Sequence, residues 1–126
     1  MTFMTKEDGT IIARQGDSGE VYVEGVDIDK NYKIYFGVRD DKRKPVGDEV
    51  YVYSNYASEV VIDIPANVSN SWEVPKGEEY IEYNYGIKVC DEETGAENTL
   101  VFANCEFDTE NKLIVYPKKV EGMLNG

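Results

Sequence analysis

The chain has 126 residues and a formal net charge of −12, with 25 Asp and Glu against 13 Lys and Arg and no His. Such a charge argues against binding nucleic acid through phosphates or docking on anionic lipid, both of which need a basic face. The lack of His excludes Ser-His-Asp, Cys-His and His-metal chemistry outright. This length fits one domain, able to bury about two-thirds of its unfolded surface without a disulfide or metal. Ten Tyr residues, with many Val and Ile, favour strands, and no window sustains a period of 3.6, so little helix is expected.

Residues 2–4 and 10–13 are short apolar runs around the Asp8-Gly9 turn, either a small hairpin or one bent edge strand. Arg14-Gln15-Gly16-Asp17-Ser18-Gly19 reads as a turn. Residues 20–24 alternate, with Val21 and Val23 on one face, and 26–31 form a loop. The first strong strand is 32–39, with Tyr32, Ile34, Phe36 and Val38 inward, followed by a charged turn over 40–45. In the strand 49–54 either Tyr51 and Tyr53 or Val50 and Val52 face the core. The strand 58–64 turns Val60, Ile62 and Ile64 inward, and Pro65 ends it because proline cannot donate to a ladder. The least regular part is 66–76, with one helical turn over 67–71 and with Trp72 and Val74 buried as a plug.

The longest element is a hairpin over 79–107. Ile81, Tyr83, Tyr85, Ile87 and Val89 share one face at period two, and Glu82, Asn84 and Lys88 share the other. A polar turn with Gly95 leads to a returning strand over 98–107, pairing Val89 near Thr99. That register sets Cys105 opposite Tyr83 and Cys90 at the turn end on the other face. Their Cα atoms are then far beyond the ~7 Å limit for a bridge, so two free thiols are expected, which suits a reducing cytoplasm. A turn over 108–111 precedes the last strand, 112–116, which Pro117 closes. The chain thus divides into a single domain, residues 1–117, and a C-terminal tail, 118–126. About eight strands with polar turns and no long helix give an all-β, antiparallel sandwich or barrel. No signal peptide is visible at the N-terminus, and no apolar run approaches the ~20 residues of a membrane span.

The chemistry in the sequence is sparse. Nucleotide-binding glycine motifs and CxxC pairs are missing, and Cys90 stands beside Asp91 and Glu92, which disfavour a thiolate. No spacing selects a pair of catalytic carboxylates. Asp27-x-Asp29 and Glu106-x-Asp108-x-Glu110 can offer oxygen ligands to Ca²⁺, but neither has the twelve-residue glycine-containing loop of an EF-hand. We therefore expect no catalytic residues, no metal and no cofactor. Tyr32, Tyr83, Tyr85 and Tyr116 fit inward positions. Tyr51, Tyr53 and Tyr56 can form an exposed aromatic patch, a feature that more often marks protein contact than a glycan site.

Three segments together resemble a phage family. Arg14-Gln15-Gly16-Asp17-Ser18 is similar to the opening of the N-terminal domain of phage baseplate upper proteins. The run Tyr32-Lys33-Ile34-Tyr35-Phe36-Gly37-Val38-Arg39-Asp40 resembles that family's next strand. The 83–90 strand, its acidic glycine turn and Leu113-Ile114-Val115-Tyr116 resemble the closing strands. The likeness spans most of residues 10–117, although 54–76 does not align. It implies an immunoglobulin-like β-sandwich that serves as a building block of virions.

The expected function is accordingly a non-enzymatic phage or prophage virion structural protein, in the tail, baseplate or a head-associated position. It is expected to be made in the bacterial host cytoplasm and to act through contacts with other virion proteins or with itself. The expected contact residues are Tyr51, Tyr53, Tyr56, Lys118 and Lys119. The two lysines form a basic spot able to meet an acidic face of a second copy. The alternative is a carbohydrate-binding β-sandwich module for cell-surface glycans, which needs an exposed Trp or Tyr platform beside a shallow groove.

Overall fold

A computed structural model describes residues 3–99 and 111–122. The described elements are β1 (Met4–Thr5), β2 (Ile11–Arg14), β3 (Gly19–Glu24), β4 (Lys33–Arg39), β5 (Val50–Tyr53), β6 (Glu59–Ile64), α1 (Ala66–Ser69), β7 (Ile81–Cys90), β8 (Glu97–Thr99) and β9 (Asn111–Tyr116). The protein is all-β in character, with a single short helix among these elements.

Seven strands form one sheet in the order β1-β2-β9-β7-β4-β5, and β8 joins β7 beside its last residues. The ten-residue β7 is the axis of this sheet, and its alternation explains why. Tyr83, Tyr85 and Ile87 are buried on one face, while Glu82 and Lys88 are exposed on the other. β9 covers the first half of its far edge, and β4 runs along the near edge from Asn84 to Cys90.

The expectation of a wholly antiparallel architecture is corrected by one pairing. β2 and β9 run parallel, with Ile11 opposite Leu113 and Arg14 opposite Tyr116, so the sheet is mixed. Alternation of apolar residues is blind to strand direction. Nearly the whole chain separates these two strands, so no tight turn forces them antiparallel. A second sheet holds only β3 and β6, antiparallel from Gly19–Ile64 to Glu24–Glu59.

Both sheets contribute to one core. Val21, Val23, Val60, Ile62 and Ile64 come from the small sheet, and Ile34, Phe36, Tyr85, Ile87, Leu113 and Val115 from the large one. Trp72 fills this core and is fully buried, its ring centroid 5.9 Å from Phe3 and 6.4 Å from Phe36. Val74 packs against the same cluster. Pro65 ends β6, and α1 follows as the expected single helical turn.

The turn Arg14-Gln15-Gly16-Asp17-Ser18 ties three parts of the fold together. Gly16 takes φ +84°, a left-handed conformation that glycine adopts at no steric cost. The Gln15 side-chain amide donates to the Asn70 carbonyl at 2.9 Å, and the buried Ser69 hydroxyl donates to the Asp17 carbonyl at 2.6 Å. Arg14 donates to the Pro117 carbonyl at 2.8 Å, where the tail begins.

Other expectations are settled by register. Val50 and Val52 lie opposite Phe36 and Ile34, so they take the core side and Tyr51 and Tyr53 point outward. The β7–β8 hairpin pairs Lys88 with Thr99 and Val89 with Asn98, one residue from the expected register. Cys90 is free and half-buried. Cys105 and the strand expected beyond Thr99 lie outside the described residues. Tyr116, expected inward, is on the outer face, its ring 5.7 Å from Tyr80. Leu113 and Val115 hold the core side of β9, and a period of two cannot place Val115 and Tyr116 on the same face. Among the described residues, no helix is long and apolar enough to cross a membrane.

Candidate binding face

The chemically richest surface is the outer face of β5, β4 and β7. Cross-strand pairing sets Tyr35 beside Tyr51 and Lys33 beside Tyr53, because the alternate residues are claimed by the core. The Tyr35 and Tyr51 rings are 5.8 Å apart, and Tyr51 meets Tyr53 edge-on at 6.0 Å. The Lys33 ammonium lies 4.2 Å from the Tyr51 centroid, 5.2 Å from Tyr35 and 5.9 Å from Tyr53. It is held by ring quadrupoles, and the Tyr35 hydroxyl as hydrogen-bond partner raises its pKa. Tyr53 donates its hydroxyl to Glu92 at 3.0 Å, which raises the phenol pKa. Tyr51 remains 56% exposed and Tyr53 40%.

Tyr56 is presented differently. The Ala57 amide donates to the Ser54 carbonyl at 3.1 Å, closing a turn in which Asn55 and Tyr56 have φ of 51° and 61°. Both central residues are left-handed, which is unfavourable for a bulky side chain such as tyrosine. The turn is kept by the Asn31 side chain, which accepts from the Asn55 amide at 2.8 Å. The Tyr56 ring is exposed and, among the described residues, has no ring contact with Tyr51 or Tyr53.

The structure does not bring Lys118 and Lys119 to this face. They follow β9, which β7 and β4 separate from β5. The Lys118 stem lies against Gly16, and its ammonium is 3.2 Å from Glu121, so its side chain is only 14% exposed. Lys119 is exposed.

An open groove of about 700 Å³ runs over β4 and β7 next to the tyrosines. Its floor includes the cross-strand pair Gly37 and Gly86, and the Glu49 side chain lies over Gly37, 3.1 Å from where a Cβ would stand. Tyr35 forms one wall. Arg39 and Glu49 stand at one end, and Lys88 pairs with Glu97 at 3.4 Å along the other side. The β7–β8 turn closes the far end. There Asp91, whose side chain is 9% exposed, accepts from Lys30 at 2.7 Å. This bond lowers the Asp91 pKa and raises that of Lys30. Burial raises the Cys90 thiol, with the Glu97 carboxylate adding to it, so the thiolate is disfavoured as expected.

Sequence reasoning singled out Tyr51, Tyr53 and Tyr56 but missed Lys33, Tyr35 and the glycine pair. The signal for the latter was an isolated Gly inside each of two strands, which often marks a close approach by another group. Among the described residues no cluster of His, Cys, Asp or Glu can hold a metal ion. Asp27 instead accepts from the Asp29 amide at 2.9 Å, an ordinary turn. Glu106, Asp108 and Glu110 lie outside the described residues. No protein-family model matches the chain, and no curated protein matches it.

Proposed function

We propose that this chain is a non-enzymatic phage or prophage virion structural component, in the tail, baseplate or a head-associated position, acting through protein contacts. The observation that carries the contact reading is the outward placement of Tyr51 and Tyr53 on β5. That strand is the end of the large sheet, and both rings remain exposed. An edge strand offers unpaired backbone groups, and amphipathic aromatic rings add contact area at low entropic cost. The strained presentation of Tyr56 fits the same role. The immunoglobulin-like sandwich that the phage resemblance implies is proposed on two unequal sheets over one core, with the parallel β2–β9 pair as a departure from it.

The outer face of β3 and β6 is acidic. Glu20 stands opposite Asp63 and Glu24 opposite Glu59, with Tyr22 bonded to Glu20 at 3.4 Å. Like charges directly opposite one another are unfavourable within a lone sheet. A basic spot on a second copy, with Lys119 exposed, is complementary to it.

Light scattering across a wide range of protein concentration tests this reading. A discrete assembly is expected, and the double variant Tyr51→Ser/Tyr53→Ser is expected to dissociate it while melting like the parent. A strict monomer that also captures none of the proteins encoded by neighbouring genes refutes the contact function. An assembly unchanged in the double variant refutes the assignment of the tyrosines.

A further inference from the structure

We propose that the open edge of β5 pairs antiparallel with β5 of a second copy of this chain, across a two-fold axis at Val52. This rests on the contact reading of Tyr51 and Tyr53 and names their partner. The starting observation is the direction of the β5 backbone. The Ser54 amide donates to the Tyr32 carbonyl at 2.9 Å, the next pair in register after Lys33 and Tyr53. Hydrogen-bonded and non-hydrogen-bonded pairs alternate along an antiparallel ladder. Val52 and Val50 therefore turn their amides and carbonyls toward β4, and Tyr51 and Tyr53 turn theirs toward the open edge. Among the described residues no strand lies beside that edge. β8 and β9, between which residues 100–110 run in sequence, both pair with the side of β7 that faces away from β4.

The composition of the edges selects β5. Soluble proteins guard open edges with charge, proline or very short strands. β1 has two residues and runs into Lys6-Glu7-Asp8, and β8 has three and opens with Glu97. β3 carries Glu20 and Glu24, and β6 carries Glu59 and Asp63. β5 is Val-Tyr-Val-Tyr, with no such guard. Two copies of net charge −12 repel, so an uncharged strand is where they can approach. Self-pairing about Val52 sets Tyr51 opposite Tyr53 of the second copy, and each pair exchanges both backbone bonds, which satisfies every outward group of the two tyrosines. Tyr35 and Tyr51 then continue across the seam into Tyr53 and Lys33 of the second copy. The charges agree with this register. With strands about 4.8 Å apart and a rise of about 3.4 Å per residue, the Cα of Glu49 comes about 12 Å from that of Lys33 in the second copy, whereas the two Lys33 stand about 16 Å apart and the two Glu49 about 21 Å. Unlike charges are thus nearer than like ones. Four residues from each copy are far fewer than the roughly 20–30 a side of a stable interface, so a weak dimer is expected, with a Kd of about 10 μM to 1 mM.

The test follows backbone amide NMR shifts of the whole chain over a dilution series that brackets this Kd. The Tyr51 and Tyr53 amides are expected to shift together on one dimerisation curve and to exchange more slowly with solvent at high concentration, while the Val50 and Val52 amides keep their β4 bonds and stay in place. Val52→Cys tests the register. Residues facing each other in a non-hydrogen-bonded pair have Cα atoms about 4.5 Å apart, within reach of a disulfide. The near-isosteric variant is expected to melt like the parent when reduced and, on mild oxidation, to give a dimer in which the peptide carrying position 52 is joined to itself. The proposal is overturned if the Tyr51 and Tyr53 amides do not move with concentration, if the shifts map elsewhere, or if folded Val52→Cys yields no such link. An assembly that Tyr51→Ser/Tyr53→Ser dissociates while those amides stay still overturns the strand pairing and leaves the contact function standing. A strict monomer that captures no protein encoded by a neighbouring gene overturns both.

Discussion

Replacing Trp72 with Ala is expected to remove about 3–5 kcal/mol of folding free energy, the usual range for deleting a large buried aromatic side chain. Trp72 is 0% exposed and packs between Phe3, ahead of β1, and Phe36 on β4. Burying an aromatic side chain withdraws roughly 150–250 Å² from water. At about 25 cal/mol per Å² that is roughly 4–6 kcal/mol, an upper bound because the unfolded chain already hides part of this area. A domain holds only about 5–15 kcal/mol in total, so the variant is left marginal. Urea unfolding followed by far-UV circular dichroism measures the loss. With a slope of about 2 kcal/mol per M, the midpoint falls by roughly 2 M. Trp72→Phe is the control. The indole Nε1 has no acceptor among the described residues, so Phe sacrifices only volume and costs about 1–2 kcal/mol. A Trp72→Ala protein within about 1 kcal/mol of the parent would refute the plug and the packing of region 66–76 over the core.

Gly19→Ala tests a different contact. A Cβ there stands 2.3 Å from ring carbons of Phe3, so the variant is expected to lose about 1–3 kcal/mol through overpacking. Combining it with Phe3→Ala should relieve that clash, and thermal melts of the double-mutant cycle check the coupling; additive losses count against it. The pH dependence tests the turn beside the groove. The hydrogen bond from Lys30 lowers the Asp91 pKa, so its contribution is present above the ordinary value of 3.8 and drains as pH falls through the lower folded value. Lys30 is raised, so its side of the pair persists below 10.5 and is lost only above it. Lys30→Met is therefore expected to be less stable than the parent at neutral pH, with the two urea midpoints converging as the solution becomes strongly acid. A gap that stays constant down to the most acid point rules this pairing out.

Much of the strand assignment was legible because alternation is local. Val21, Val23, Val60, Ile62 and Ile64 show their inward faces in their own segments, and Pro65 marks where β6 must stop. The fate of Trp72 followed from its size and apolar character. The candidate face was only half legible. Tyr51 and Tyr53 alternate with two valines, and nothing within 49–54 says which pair the core accepts. Pairing with Ile34 and Phe36 decided it. Lys33 and Tyr35 were hidden for the opposite reason, since their strand was read for its buried residues alone.

Composition and period by themselves determined an acidic, all-β chain without histidine chemistry, with strands at β2 to β7 and β9 and a plug at Trp72. Hydrophobic periodicity and backbone preference act over a few residues, which is why these features can be read along the chain. Only the tertiary structure decided the parallel partnership of β2 with β9, the outward turn of Tyr116 and the meeting of Gly37 with Gly86. Each of these depends on which strand lies beside which and in what register, and the free energy that fixes register comes from the shared core rather than from any one segment.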